Sequence, residues 1–294
     1  MERAFIHAVT RLDAVGDLRQ LHTPVPELGL EIIPIAPGHI PAAWPGASIV
    51  EDKRPAIRDE SGSADNGNTG WDMEGLVAAD VVHMARSANA PVVKFWLSST
   101  EVTQAQYREI MGENPSKYIG DDMPVQMISW HDATEFCRTL TKRERRAGRL
   151  PAGQVYRLPT SDEWEYACRA GWGTTFFFGN NPEDLDKYAW YREANGGRDV
   201  PNAVGGKRPN ACGLYDLYGN VWEWCLESKS AGTRGRAHPP AVSPRKPPQT
   251  MPIRGGCWRS GATRCASAVV ARMAPTEKVG IVGFRLARGA PVVE

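Results

Sequence analysis

The side chains of this chain that are most able to do chemistry are cysteines, and their spacing limits what that chemistry could be. The six are Cys137, Cys168, Cys212, Cys225, Cys257 and Cys265. No two of them form a CxxC pair, which argues against a zinc ribbon, and six in 294 residues are too few and too scattered for a disulfide scaffold. Because free cysteine is often buried, we expect reduced and mostly buried thiols.

In the segment from 254 to 285, the residue types at both ends are those that a fold requires, whereas the residue types in the middle are not. The segment begins with RGG (254–256) followed by Trp258, and it ends with GFR (283–285). Adjacent glycines accept backbone conformations that other residues avoid, and large aromatic side chains need buried pockets. Residues 259–271 between these ends are small or follow no evident pattern. The contrast predicts that the ends serve the fold and that the middle serves function.

Composition excludes several function classes. Thirty-five basic and 34 acidic residues give a net charge of +1, which provides no electrostatic basis for binding nucleic acid or an anionic membrane. No apolar run approaches the roughly 20 residues that span a bilayer. Asp13 and Asp17 interrupt the first residues, which therefore do not resemble a signal peptide. Cytoplasmic production is expected.

The elements that position the candidate segment are predicted to be few and short. Ten tryptophans, 29 glycines and 23 prolines indicate a loop-rich fold held by aromatic anchors. Thr103, Ser129 and Thr160 are each placed to cap a helix. Apolar spacing also predicts a helix within 1–22 and strands at 28–35 and 91–97. Loops are expected at 41–90 and, rich in proline, at 226–250.

A set of short motifs runs in order along the chain from residue 99. The motifs are STEVTQAQY (99–107), MPV (123–125), ISW (128–130), YRLPT (156–160), EWEYA (163–167), PN (209–210), GLYD (213–216), GNVWEW (219–224), RGG (254–256) and GFR (283–285). With residues 28–40, they make the chain resemble the formylglycine-generating-enzyme (sulfatase-modifying factor) domain, a variant of the C-type lectin fold. The resemblance implies an α+β, loop-rich architecture with few short helices and small twisted antiparallel sheets.

The resemblance also specifies what an oxidase of this family needs. Oxidase members use two cysteines spaced C-x4-C after the Gly-Gly pair, which bind copper and attack the substrate thiol. Aligned on Gly256, these positions fall on Ser260 and Cys265. Soft thiolates suit Cu(I), and one of the two is missing here. Cys257 stands eight residues before Cys265, at a position that is usually small. The expectation is therefore that the chain is not an enzyme.

A calcium ion sits beside the GNVWEW turn in this family. The matching positions are the side chains of Asp216 and Glu223 and the main-chain carbonyls of Gly219 and Val221. Calcium prefers several hard oxygen ligands, which two nearby carboxylates in an irregular turn can supply. The alternative is that both carboxylates only bond the backbone of the loop. Calcium is expected as an optional cofactor, and none is required.

The resemblance extends to variable proteins of diversity-generating retroelements, which share this fold and are frequent in phages and prophages. In them, mutagenic reverse transcription replaces adenines of a template repeat, with asparagine AAY codons as usual targets. Residues 254–294 contain no Asn. Instead, the segment contains residues whose codons can arise from AAY when adenines are replaced. The codons of Trp258 and Phe284 contain few adenines that could be replaced. The alternative is drift to small residues that pack in a core strand.

These arguments predict a non-catalytic variable protein that displays a ligand-binding surface on a C-type lectin scaffold. The residues expected to form that surface are Arg259, Ser260, Gly261, Arg264, Cys265, Val269, Val270, Ala271, Val279, Gly280, Ile281, Trp190 and Trp222. The alternatives are a copper oxidase of cysteine, and a calcium-stabilised binding module without diversification.

The predicted domain organisation and setting follow from the same resemblance. Residues 1–27 are assigned to an N-terminal extension and 28–290 to the lectin-like domain, with an insertion at about 41–90 and a variable segment at 254–288. A protein or glycan ligand is expected, without nucleic acid or a membrane span. Display on a phage particle or a cell surface is compatible with cytoplasmic production.

Overall fold

A computed structural model of the chain describes residues 25–39, 91–228 and 250–292. Three α-helices begin at the hydroxyl caps that the sequence predicts: α1 (Gln104–Met111), α2 (Trp130–Arg146) and α3 (Ser161–Arg169). In each, the cap hydroxyl accepts a hydrogen bond from the third helical amide, and that third side chain bonds the cap amide in return. Helix α1 ends at Gly112, whose φ of 80° is left-handed. These three predictions are confirmed.

Four strands form a first sheet that ties the two ends of the described chain together. Strands β1 (Ile32–Ile35), β4 (Phe95–Ser98), β5 (Val155–Arg157) and β10 (Ala287–Gly289) pair in the order β1-β4-β10-β5, all antiparallel. Two short strands, β2 (Gly38–His39) and β3 (Pro91–Val92), pair beside it. The predicted strand at 91–97 is therefore divided into β3 and β4.

The second sheet carries the C-terminal segment. Strands β6 (Trp222–Trp224), β7 (Met251–Arg254), β8 (Val270–Met273) and β9 (Val282–Gly283) pair in the order β8-β7-β6-β9. The β6–β9 pair is parallel, which is the one departure in this sheet from the predicted small antiparallel sheets. The parallel pairing arises because 3₁₀ helix Ala262–Cys265, β8 and the loop after it intervene between β7 and β9. The α+β, loop-rich class is otherwise confirmed.

Aromatic side chains hold the irregular backbone, as their number predicts. The largest fully buried side chains include Trp164, Trp222 and Trp224, with Trp258 at 2% exposure. From α3 to β6 the chain has no α-helix or strand and contains only the short 3₁₀ helices Pro182–Lys187 and Arg192–Ala194. Large apolar anchors replace secondary-structure packing in this region, because an irregular backbone offers few regular faces to bury.

Some sequence predictions lie outside the described residues. They are the helix within 1–22, the insertion at 41–90 and most of the loop at 226–250. Within the part that the structure describes, no helix is long and apolar enough to cross a membrane.

Candidate functional site

The segment after the two glycines is held at its base by the neighbouring loops. Gly255 and Gly256 have φ values of 95° and 81°, which other residues rarely adopt. The Trp258 amide donates to the Asn220 carbonyl over 2.9 Å, and the Arg192 amide donates to the Ser260 carbonyl over 3.0 Å. The 3₁₀ helix Ala262–Cys265 follows. The base of the segment is therefore fixed by main-chain bonds that do not depend on its outer side chains.

Six of the predicted binding residues reach solvent. Arg259, with 45% of its side chain exposed, forms an ion pair with Asp199 over 3.3 Å. The others are half-buried: Gly261, Arg264, Val279, Gly280 and Trp190.

One indole ring, that of Trp258, connects two parts of this set. The Arg259 guanidinium lies 5.2 Å from the Trp258 ring centroid, and Tyr118 meets the same ring edge-on at 6.0 Å. A Cβ added at Gly280 would lie 3.1 Å from Tyr118. The loops around 259 and 280 are thus joined through Tyr118 and Trp258. We call the six solvent-reaching residues the display face.

The other seven predicted binding residues are buried, and their assignment to a surface is corrected. They are Ser260, Cys265, Val269, Val270, Ala271, Ile281 and Trp222. With at most 6% of their surface exposed, these residues offer almost no area to a ligand at the surface.

For Val270 and Ala271 the physical reason for burial is strand pairing. Strand β8 pairs with β7 from Val270 to Met273, and the buried Arg254 guanidinium donates to the carbonyls of Ser267 and Val269 over 3.3 and 3.1 Å. The structure therefore places 270 and 271 in a buried strand, as the core-strand alternative expects, and Val269 is buried directly before it. The apolar run Ala268-Val269-Val270-Ala271 is the sequence signal that indicates it.

The two cysteines of the variable segment are close to each other but poorly suited to thiolate chemistry. Cys257 and Cys265 are both fully buried, and the Cys257 sulfur lies 3.4 Å from the Ser260 hydroxyl oxygen. Burial raises the pKa of both thiols, and the neighbouring Cys257 raises the pKa of Cys265 further. Because the thiolate is the nucleophile and the metal ligand, this environment favours inert thiols. All six cysteines are free, as expected.

The residues matching the calcium position divide into two groups. Both Glu223 oxygens are occupied, since they accept from Arg285 over 2.7 Å each and one also accepts from the Trp164 indole over 2.6 Å. Asp216 accepts from the Gly205 amide over 2.6 Å through one oxygen. Its other oxygen, Oδ1, is buried and has no hydrogen-bond partner in the described structure.

A third buried carboxylate, Glu101, belongs to this cluster and is absent from the sequence prediction. Its oxygens accept from the Asn220 side chain over 3.0 Å and from the Val221 amide over 3.2 Å. Burial raises the pKa of Glu101 well above its usual range, and Asp216 and Glu223 raise it further. Its position in the STEVT motif is the only sequence signal for it.

The cluster only partly fits a calcium site. Its carboxylates interact electrostatically, yet the described residues contain no group of three or more His, Cys, Asp or Glu side chains at metal-binding distances. Gly219 and Val221 are close in sequence to Asp216, but Glu223 is bound by Arg285 and does not fit the role of a direct ligand. Asp216 Oδ1 is the atom that does fit.

Comparison with known proteins shows the family. The model of the "Sulfatase-modifying factor enzyme 1-like domain" matches residues 56–290, so the chain belongs to this family. "Chaperone protein LppX" of Paenibacillus barcinonensis is 29% identical over 213 residues, which cover 58% of this chain and 72% of that protein.

An enzyme is also among the relatives. "Formylglycine-generating enzyme" of Streptomyces coelicolor is 30% identical over 230 residues, covering 73% of this chain and 66% of the enzyme. The chain thus spans slightly less than two thirds of that enzyme's length. Because a chaperone and an enzyme share this domain, family membership alone does not decide the activity.

The fold itself matches a solved structure. "Treponema denticola variable protein 1" superimposes with a TM-score of 0.61 and 23% sequence identity, covering 88% of this chain and 94% of that one. At this identity the likeness concerns the fold, which is therefore shared by this chain and a variable protein.

The turn beside the display face depends on Gly219, and we predict that Gly219→Ala strongly destabilises the protein. Its φ is 126°, and a Cβ there would lie 2.1 Å from the Trp190 carbonyl oxygen. Gly179→Ala is the matched control, because Gly179 has a φ of 137° and nothing within 4 Å. In urea unfolding we expect Gly219→Ala to cost at least ~2 kcal/mol more than the control. Equal losses would contradict the close contact.

The buried carboxylates predict a specific pH dependence. Burial raises the pKa of Asp216 from 3.8 to about 6, so the folded protein keeps a proton that the unfolded chain releases. Asp216 therefore destabilises the chelator-treated protein increasingly as the pH rises from about 4 to about 6, by roughly 1–3 kcal/mol. The Asp216→Asn variant lacks this titration and should gain stability relative to wild type across that window. Parallel stability curves for the two proteins would contradict the prediction.

Proposed function

We propose that this protein is a non-catalytic binding protein that presents the display face to a ligand. The observation that carries the proposal is the division of the variable segment into outer and inner residues. Arg259, Gly261 and Arg264 reach solvent, while Trp258 and Cys265 on either side are buried. Such a segment can change its outer side chains while its anchors keep the backbone in place.

The outer residues make few contacts that the fold needs. The Arg259 ion pair is exposed on both sides, with 45% and 72% of the two side chains accessible, and exposed pairs contribute little to stability. Gly261 has an ordinary φ of −70°, and an added Cβ would approach the exposed ends of the Arg192 and Glu193 side chains, at 2.9 and 3.8 Å. Substitution at these positions is therefore compatible with the fold.

Diversification by a retroelement is the finer part of this proposal. It rests on the adenine argument from the sequence and on the fold that this chain shares with a variable protein. The DNA within a few kilobases is expected to hold a reverse transcriptase gene and a near-copy of the 254–288 coding segment. Mismatches should occur at adenines, mainly in the codons of Arg259, Gly261, Arg264 and Val279. A copy with mismatches concentrated at 269–271, or no copy, would contradict diversification of the display face.

Tolerance of substitution provides a protein-level prediction. Arg259→Asn and Arg264→Asn should each change the free energy of unfolding by no more than about 0.5 kcal/mol, as is usual at exposed positions. Val269→Asn and Ala271→Asn place an amide in the core and should cost at least ~2 kcal/mol each. Urea unfolding of the four variants measures the difference. A loss at Arg259 or Arg264 comparable to that at Val269 would show that these residues support the fold.

The oxidase alternative makes a different prediction for Cys265. If the chain were a copper oxidase, it would convert a cysteine-containing peptide to an aldehyde in the presence of Cu(I) with dioxygen as the oxidant, and Cys265→Ser would abolish the reaction. Two buried thiols with raised pKa values argue against this reactivity. We therefore expect no aldehyde product by mass spectrometry from the wild-type protein. Product that disappears with Cys265→Ser would establish the enzyme instead.

Calcium binding is a separate proposal that rests on the unpartnered Oδ1 of Asp216 within a cluster of buried carboxylates. A divalent cation there would reduce the repulsion between Asp216 and Glu101. Calcium should then raise the melting temperature of chelator-treated protein, because it binds the folded state. Asp216→Asn should abolish the increase, and magnesium serves as the control ion. An unchanged melting temperature with calcium would overturn the proposal.

A further inference from the structure

A pocket outside the display face is lined almost wholly by aromatic and small residues. Its volume is about 390 Å³, and its walls include Trp172, Phe177, Phe178, Tyr188 and Pro209. This size lies within the range typical of small-molecule sites in proteins. None of its lining residues belongs to the display face or to the buried carboxylate cluster. We call it the ring pocket.

One wall of the ring pocket is rigid before any ligand arrives. Phe178 is stacked between Phe176 and Tyr188, with ring centroids 5.0 and 4.6 Å away and interplanar angles of 4° and 11°. The Phe177 amide donates to the Tyr218 hydroxyl over 2.6 Å. Phe176 and Gly179 exchange main-chain hydrogen bonds of 2.9 and 3.1 Å, which close the turn. A ligand would therefore bind without reorganising this wall.

Most polar side chains that line the pocket already form hydrogen bonds within the protein. The Asn210 side chain donates to the Ala167 carbonyl over 2.8 Å and accepts from the Cys212 and Leu214 amides over 3.0 and 3.1 Å. Thr174 donates to the Phe176 carbonyl. The Tyr188 hydroxyl is different, because it has no protein partner within the described residues. It is the group best able to bond a ligand.

Charge and exposure restrict the ligand class. None of the described residues that line the pocket is charged, so among them a charged ligand would gain no ion pair in exchange for its lost hydration. Trp172 stands at the rim with 48% of its surface exposed, although large aromatic residues are usually well buried in a fold. An exposed indole beside a preformed aromatic wall offers a flat surface on which a ring can stack.

We propose that the ring pocket binds a neutral ring with one apolar face, stacked on Trp172 and hydrogen-bonded to Tyr188. Two sources share this chemistry, a pyranose unit of a glycan and a neutral aromatic molecule. The inference is independent of the display face, since neither Trp172 nor Tyr188 belongs to it. Either ligand is a single ring system in an open pocket of about 390 Å³, for which a Kd on the order of 1 mM is expected.

Saturation-transfer NMR on the full chain tests the proposal with methyl β-glucoside, methyl N-acetylglucosaminide, indole and, as a charged comparison, benzoate. Transfer to at least one neutral ring is expected, with at least tenfold weaker binding in Trp172→Ala and partial recovery in Trp172→Phe. Ile119→Ala is the matched control, because Ile119 is an apolar residue with 69% exposure outside the pocket lining. The sugar and indole arms distinguish the two sources.

Three results would overturn the proposal. They are the absence of transfer to any neutral ring, equal binding by wild type and Trp172→Ala, and stronger binding of benzoate than of every neutral ring. Tyr188→Phe provides a second variant that keeps the stacked rings and removes only the hydroxyl. It should weaken binding of a sugar more than binding of indole, and the opposite order would contradict the assigned hydrogen bond. A negative result for the ring pocket would not contradict the proposal for the display face, because that proposal is tested with different variants.

Discussion

The fold depends on one buried ion pair, between Arg285 and Glu223. Neither side chain has measurable exposure, and the Arg285 guanidinium also donates to the carbonyls of Tyr215 and Ser98 over 2.8 and 3.2 Å. It thereby joins the first sheet, the GLYD turn and the second sheet. Burial alone would lower the pKa of Arg285, but the Glu223 carboxylate outweighs it and raises the pKa. Removing either partner would leave an unpaired buried charge, which typically costs 3–5 kcal/mol.

Because Glu223 is bound by Arg285, this residue of the GNVWEW turn stabilises the fold and does not fit the role of a metal ligand. The Trp164 indole bonds the same carboxylate, so the GNVWEW motif, the EWEYA helix and the GFR motif meet at one point. Glu101 and Asp216 lie beside this network, and burial raises the pKa of both carboxyl groups. The network also fixes the backbone below Trp258 through Asn220, whose carbonyl accepts the Trp258 amide. The display face can therefore differ in sequence without moving its support.

Local signals in the sequence were sufficient for the helices and insufficient for the surface. Thr103, Ser129 and Thr160 predict helix starts because a cap and its third residue interact locally. Codon composition wrongly predicts Val269 and Ala271 to be at the surface, because it contains no information about which strands pair. Glu101 could not be placed near Asp216, since 115 positions of chain separate them and only tertiary packing unites them. The family motifs predict the fold because their residues form these buried contacts between distant parts of the chain.

We propose that residues 254–288 form a fixed frame whose outward positions are free to change. Single-codon randomisation of residues 254–288, followed by sorting for folded protein, tests it most directly. The account predicts broad tolerance at Arg259, Gly261 and Arg264, with intolerance at Arg254, Trp258 and 269–271. Intolerance at the three outer residues, or tolerance throughout β8, would contradict the claim that this fold separates its display face from its core.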